Sequence, residues 1–197
     1  MHELIRSRRS IRRYEGRPVP AEIIERVLLA AVWAPSAHNR QPWRFVVITN
    51  DSIKSALASA MGERLRADRL ADGDPPTRVD ADVSRSRARI TSSPAVIVLC
   101  LSMANMDSYP DTRRKKAEYT MAAQSTAMAA QNLLLAAHAE GLGACWMCAP
   151  LFCPDAVAAV LSLPADWEPQ ALITLGYPAD DGKPASRNLP GAVTIWR

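Results

Sequence analysis

Several signatures of common enzyme classes are missing from this sequence. No glycine-rich G-x-G-x-x-G turn joins a strand to a helix, so a parallel doubly wound sheet is disfavoured. There is no G-x-S-x-G elbow and no H-E-x-x-H pair, and the three histidines lie far apart along the chain. These absences argue against a serine hydrolase and against a zinc protease, and we expect no catalytic triad of side chains.

Cysteine is scarce: the chain has four, and only Cys145 and Cys148 form a C-x-x-C pair. A structural zinc site needs four ligands, and no second pair stands at a suitable spacing, so we expect no bound metal. A dithiol of the thioredoxin type normally opens a helix, whereas Ala149 and Pro150 follow here in an apolar segment. We therefore interpret these thiols as buried residues or as part of the wall of a ligand site.

No apolar run is long enough and uninterrupted enough to cross a membrane. The best candidate, residues 121–139, includes the polar residues Gln124, Ser125, Thr126, Gln131, Asn132 and His138, which would be costly in lipid. Its composition favours a helix, and a helix apolar on most faces must be buried in the domain or against another subunit. No signal peptide is visible, because the N-terminus is polar from His2 onward, so the default expectation is a cytoplasmic protein.

Positive charge is concentrated near the N-terminus, where six of the first seventeen residues are Arg and only two are Glu. Such a segment can bind nucleic acid, but apolar residues such as Leu4, Ile5 and Ile11 interrupt it. No zinc-finger or aromatic RNA-binding pattern follows. We expect no nucleic-acid partner and favour a small anionic ligand.

Apolar periodicity and turn residues predict one mixed α and β domain spanning residues 1–197. Helices are expected over residues 21–33, 53–61, 121–139 and 156–161. Strands are expected over residues 43–49, 95–101, 144–147 and 171–177. Residues 62–82 are charged and interrupted by Gly and Pro, so we expect a flexible segment there, of the kind that can serve as a lid.

The most informative stretch is the loop from Ala34 to Trp43, which contains amides, a hydroxyl and two prolines. Pro35 and Pro42 stiffen it, so its donors and acceptors suit a planar heteroaromatic ring. Upstream, residues 8–12 read Arg-Arg-Ser-Ile-Arg, a set of cationic and hydroxyl donors suited to a phosphate. Together the two motifs indicate a phosphorylated ring cofactor.

These two motifs, followed by the Gly-Leu-Gly-Ala-Cys-Trp run of residues 141–146, resemble the FMN-dependent nitroreductase family along nearly the whole chain. The resemblance implies an α+β, nitroreductase-like fold with a central, mostly antiparallel sheet flanked by helices. It also implies a homodimer with the long buried helix at the interface. Residues 109–114, 117–121 and 163–169 are further similar to the reductase domain of the bifunctional enzyme that completes the deazaflavin coenzyme.

The resemblance assigns cofactor contacts to particular residues. The ligands of the ribityl chain, phosphate and pyrimidine edge of FMN would be Arg8, Arg9, Ser10 and Arg12, with Lys183 and Arg187 closing the phosphate site. The ring contacts, contributed by the partner subunit, would be Pro35, Ser36, His38, Asn39 and Gln41. Near the N5 edge of the flavin, a backbone amide contact would come from Cys148 and Ala149.

The implied activity is that of an FMN-dependent oxidoreductase, in which the flavin carries the chemistry and no side chain is required as a catalyst. Hydride would pass from NADH or NADPH through flavin N5 to a small organic acceptor. That acceptor would be a nitroaromatic, a quinone or a deazaflavin-coenzyme precursor. The alternative is a non-catalytic flavin or deazaflavin binding or storage protein.

Overall fold

Six helices and four strands make up the chain, which a computed structural model describes from Met1 to Arg197. The helices are α1 (His2–Ser7), α2 (Ala21–Val32), α3 (Asp51–Ala71), α4 (Pro76–Thr91), α5 (Thr112–Ala139) and α6 (Pro154–Leu161). The strands are β1 (Trp43–Ile48), β2 (Ala95–Ser102), β3 (Gly143–Met147) and β4 (Trp167–Gly176). Short 3-10 turns lie at Ala37–Asn39, Ala149–Phe152 and Pro190–Ala192.

The four strands form one sheet in the order β1-β2-β4-β3, and every neighbouring pair is antiparallel. Every residue of β2 is buried, which explains why this strand is a continuous apolar run rather than an alternating one. The α+β class and the antiparallel sheet are therefore confirmed. β1 and β3 are the two edges of the sheet, and they carry the segments described below.

Helices cover both faces of the sheet. Because side chains alternate along a strand, successive residues of β2 enter two different cores. Ala95, Ile97 and Leu99 pack with residues of α2 and α5. Val96 and Val98 pack with residues of α3, α4 and α6 on the other face. The faces are thus closed by the chain itself, and a ligand site has to lie at an edge or an end of the sheet.

The long helix α5 starts at Thr112, earlier than residue 121, where the apolar pattern begins. Asp111 caps it, since the carboxylate accepts a hydrogen bond of 2.9 Å from the backbone N of Arg114. The first turns of α5 contain mostly charged residues, so a search for apolar residues does not detect them. The helix ends before Gly141, whose φ of +75° is the left-handed conformation typical of such an end. Neither α5 nor any other helix is long and apolar enough to span a membrane.

Residues 62–82 do not form the flexible segment that the sequence suggests. α3 continues to Ala71 and α4 starts at Pro76, so this region is a helical hairpin. Arg69 of α3 forms ion pairs of 2.5 Å with Asp74 in the turn and with Asp82 of α4. Gly62 lies where the helices approach closely, since a Cβ there would be 3.0 Å from Cγ1 of Val83. The charges and the glycine that suggested flexibility therefore serve helix packing.

Amide hydrogen exchange tests this correction. We expect peptides covering residues 62–82 to exchange slowly, at rates like those of α5, because their amides are bonded inside helices packed on the sheet. Residues 183–197, all of which are exposed, provide a fast-exchanging control in the same sample. Exchange of residues 62–82 as fast as in that control would show that the hairpin opens freely and would restore the lid interpretation.

Candidate functional site

The N-terminal arm, residues 8–14, leaves α1 and lies along the edge strand β3. Ser10 forms a parallel bridge with Ala144, and the backbone N of Ile11 donates to the Ala144 carbonyl at 3.0 Å. Gly143 permits this approach, because a Cβ there would lie only 2.6 Å from the Ile11 side chain. The backbone of the first predicted motif is therefore fixed to the sheet.

The segment after β4 crosses the same arm. The backbone N of Ala179 donates to the Arg13 carbonyl at 3.1 Å. Gly182 then turns the chain with a φ of +70°, and a Cβ at this position would lie 3.0 Å from Cβ of Arg9. This turn places Lys183 beside the arm, although the two segments are far apart in sequence.

A cavity of about 740 Å³ opens between the arm, this turn and α4. Its polar walls include Ser10, Arg12, Arg13, Arg85, Arg89 and Lys183. The carboxylate of Asp180 also lines it, but it pairs with Arg13 at 3.8 Å. Arg12, Arg89 and Lys183 have no carboxylate within 4.0 Å. Unpaired cations around a concave surface form a site for an anion, and the chemistry of these donors suits a phosphate.

Arg85 and Arg89 belong to this site but were not predicted from the sequence. They are four residues apart on α4 and so share one face of the helix. Arg87, between them, lines a different and smaller cavity against α3. Asp82 forms an ion pair with Arg85 and so holds it in place. The signal in the sequence is the spacing of four residues between Arg85 and Arg89. This spacing places them on one face only if residues 76–91 form a helix.

Not all of the predicted arm and tail residues reach the cavity. Ser10, Arg12 and Lys183 line it together. The guanidinium of Arg9 instead turns back to backbone carbonyls of residues 6–8. Arg187 is likewise bonded to the Ala185 and Ser186 carbonyls, beyond the cavity in the exposed tail. Arg8 is the first residue of the arm; it is half-buried and does not line the cavity.

The second motif forms a loop of unusual backbone conformation, which we call the 36–41 loop. His38, Asn39 and Gln41 have φ of +50°, +54° and +49°, a left-handed conformation that costs residues other than Gly about 1–3 kcal/mol each. The backbone N of Gln41 donates to Ser36 Oγ at 3.1 Å, and the Gln41 amide donates to Asn39 Oδ1 at 3.2 Å. The polar side chains of residues 38, 39 and 41 are exposed. Pro35 and Pro42 flank the loop, as expected.

The arm and the 36–41 loop are anchored at different points of α5. The backbone N of Ala37 donates to Ser125 Oγ at 3.3 Å. Ser7, which directly precedes the arm, is hydrogen-bonded to His138 Nε2 at 2.8 Å. These two positions on α5 are thirteen residues apart, or about 20 Å at 1.5 Å per residue. Within one chain the 36–41 loop is therefore anchored at the middle of α5, and the residue before the arm is anchored near the C-terminal end of this helix.

The C-terminal end of β3 carries the third predicted group. Cys148 is exposed, and its Sγ accepts a hydrogen bond of 3.0 Å from Trp146 Nε1. Ala149 begins the 3-10 turn and is half-buried. The other thiols are buried: burial raises the pKa of Cys100 to about 12 and also raises the pKa of Cys145 and Cys153. No metal-binding cluster of His, Cys, Asp or Glu forms anywhere in the chain.

The chain matches the nitroreductase family over residues 5–177, and it belongs to that family. An NADH dehydrogenase of Thermus thermophilus is 32% identical, with 96% of this chain and 92% of the relative covered. A protein of Methanothermobacter thermautotrophicus, assigned as an NADH dehydrogenase/NAD(P)H nitroreductase, is 31% identical over 95% of this chain and 81% of its own. A crystal structure of a Desulfovibrio desulfuricans protein, assigned as a nitroreductase and solved with FMN, superposes with a TM-score of 0.74 and 27% sequence identity. The superposition covers 100% of this chain and 95% of the other.

The protein is an FMN-dependent oxidoreductase of the nitroreductase fold. The residues present fit this cofactor. FMN carries one terminal phosphate, and the cavity offers three cations, Arg12, Arg89 and Lys183, that have no carboxylate partner. Its ring needs hydrogen-bond donors and acceptors at its edge, and the exposed amides of the 36–41 loop are of that kind.

Thiol labelling tests the cysteine assignments. We expect iodoacetamide at neutral pH to modify Cys148 alone, because the other three thiols are buried. Mass spectrometry of intact and digested protein counts and locates the labels, and Cys148→Ser provides the control, with no rapid labelling. If Cys148 lies against the flavin, added FMN slows its labelling. Rapid modification of Cys145 or Cys153 would contradict the packing described here.

Proposed function

We propose that this chain is a reductase that takes hydride from NADH or NADPH and passes it to a small organic acceptor. The observation that carries this proposal is the cationic cavity, in which Arg12, Arg89 and Lys183 have no carboxylate partner and which suits the phosphate of a bound flavin. When bound, FMN supplies hydride acceptance and donation at N5. The chain itself has to hold the cofactor, align donor and acceptor in turn over one pocket, and keep water out.

The proposed cofactor site has three parts. Ser10, Arg12 and Lys183 hold the phosphate and ribityl end, together with Arg85 and Arg89 of α4, and Arg8 and Arg9 support them from the arm. Arg187 reaches the phosphate if the tail closes over it. The backbone at Cys148 and Ala149 meets the N5 edge of the ring. Ring contacts come from Pro35, Ser36, His38, Asn39 and Gln41.

We place these ring contacts on a partner subunit, in a homodimer. The separation of about 20 Å between the anchors of the arm and of the 36–41 loop supports this, since two chains can bring the motifs together where one keeps them apart. An apolar surface is also left open on the outside of the fold. It comprises Leu29, Val32 and Trp33 of the α2 region and Met128 of α5, and Trp33 is 80% exposed.

The candidate acceptors belong to three classes: nitroaromatics, quinones and precursors of the deazaflavin coenzyme. Stopped-flow reoxidation of the reduced holoenzyme by one acceptor at a time ranks them by rate. Steady-state oxidation of NADH and NADPH with the same acceptors then distinguishes the reductase from a flavin-binding or storage protein. Turnover with any acceptor supports the proposal. A flavin-loaded protein that neither donor reduces would overturn it and favour storage.

The lining of the cationic cavity predicts which arginine substitutions weaken FMN binding. We expect Arg12→Ala and Arg89→Ala each to weaken FMN binding roughly ten- to a hundredfold, because a hydrogen bond to a charged group contributes about 1.5–3 kcal/mol. Arg87→Ala is the matched control, since Arg87 lies on α4 but lines the other cavity. Fluorescence titration of FMN into apo-protein measures all four affinities. Wild-type affinity in Arg12→Ala and Arg89→Ala would remove the phosphate assignment.

The dimer makes a prediction about mass. Light scattering of the holoprotein at low micromolar concentration should give about 43 kDa, twice the chain mass of 21.5 kDa. Trp33→Asp introduces a charge into the open apolar surface and should shift the mass toward that of one chain. A stable, flavin-loaded monomer of the wild type would contradict the proposal.

A further inference from the structure

The 36–41 loop holds three left-handed residues around one ordinary residue, Arg40. His38 and Asn39 precede Arg40 and Gln41 follows it, whereas Arg40 itself has φ of −74° and ψ of −18°. The guanidinium of Arg40 donates to Asp107 Oδ1 at 2.6 Å. The unusual backbone is therefore tied at its centre to a segment outside the loop.

Asp107 is in turn fixed to the core. It lies in the connection between β2 and α5, and its backbone N donates to Glu118 Oε1 at 3.0 Å. Glu118 is on α5 and only 1% exposed, although its side chain is a carboxylate. A buried carboxylate is costly unless it is hydrogen-bonded, so its position is strongly determined. Two hydrogen bonds thus lead from Glu118, a fixed point of α5, through Asp107 to Arg40 in the 36–41 loop.

We propose that Asp107, held by Glu118, is a positioning residue for the flavin ring, because it keeps the 36–41 loop in its left-handed shape through Arg40. This inference rests on the proposed function, in which the loop contacts the ring. Inside the loop, the backbone N of Asn39 donates to the Ser36 carbonyl and that of Arg40 to the Ala37 carbonyl, and Gln41 contacts Ser36 and Asn39. These contacts fix the loop against itself. Three contacts connect the loop to the rest of the fold: the Ala37 backbone N with Ser125 Oγ, the Gln41 carbonyl with the Arg44 guanidinium, and Arg40 with Asp107. Among these the Arg40 to Asp107 contact is the ion pair, and in this proposal it sets the direction of the loop amides.

The pair is well placed to affect binding without affecting folding. The side chains of Arg40 and Asp107 are 42% and 37% exposed, and exposed ion pairs contribute little to global stability. A loop that already has its bound conformation loses less conformational entropy when the ligand binds, so its affinity for the ligand is higher. Loss of the pair should therefore leave the apo-protein folded and make FMN binding weaker.

The experiment compares Asp107→Ala with Asp155→Ala. Asp155 forms an equally short pair of 2.6 Å with Arg64, joins α6 to α3, and lies outside the proposed site. We expect Asp107→Ala to weaken FMN binding by roughly tenfold and to shift the visible spectrum of the bound flavin, because the ring loses a preorganised edge. Both variants should keep the melting temperature of the apo-protein. Asp107→Asn, which retains an acceptor for Arg40, should recover part of the affinity.

A double-mutant cycle separates positioning from direct contact. If Arg40 and Asp107 act as one pair, Arg40→Ala combined with Asp107→Ala should bind FMN no more weakly than the worse single variant. Additive losses, or wild-type affinity and spectrum in Asp107→Ala, would overturn the inference while leaving the proposed function intact. A wild-type chain that binds no FMN would overturn the proposed function and this inference with it.

Discussion

The close approach of the N-terminal arm to β3 is the contact on which the rest of the candidate site depends. It requires a residue without a side chain at Gly143, since any Cβ there would collide with Ile11. Once the backbone of the arm is bonded to Ala144, alternation directs its side chains. Ile11 enters the core, and Ser10 and Arg12 face the cavity. One backbone contact thus turns a basic segment into one wall of an anion site.

The cations of this cavity come from three parts of the chain that the fold brings together: the arm, α4 and the turn after β4. Arg12, Arg89 and Lys183 are brought together without carboxylate partners, and their mutual repulsion disfavours the empty protein. An anion that binds only the folded chain offsets this repulsion and stabilises the fold by mass action. Under the proposed function, the phosphate of the cofactor would be this anion, and the stability of the protein would depend on cofactor binding.

Local patterns predicted much of the fold and part of the site. The unbroken apolar run predicts β2, which the structure confirms. The family resemblance assigns Ser10, Arg12 and Lys183 to one phosphate site, and the three residues line one cavity. The hairpin of α3 and α4 was missed because charge and Gly62 were interpreted as flexibility, and with it the arginine pair on α4 was missed. The contact of Arg40 with Asp107 spans 67 residues and leaves no local pattern, so only the folded chain reveals it.

The most direct measurement combines an arm variant and a loop variant in one dimer. Arg12→Ala and Asn39→Ala, each with a different affinity tag, are co-expressed, and the mixed dimer is isolated through both tags. If each site takes its arm from one copy and its loop from the other, the mixed dimer has one intact site. It should then bind one FMN with wild-type affinity, although both parent homodimers bind weakly. Affinity in the mixed dimer no better than in the parents would show that arm and loop of the same chain serve one cofactor.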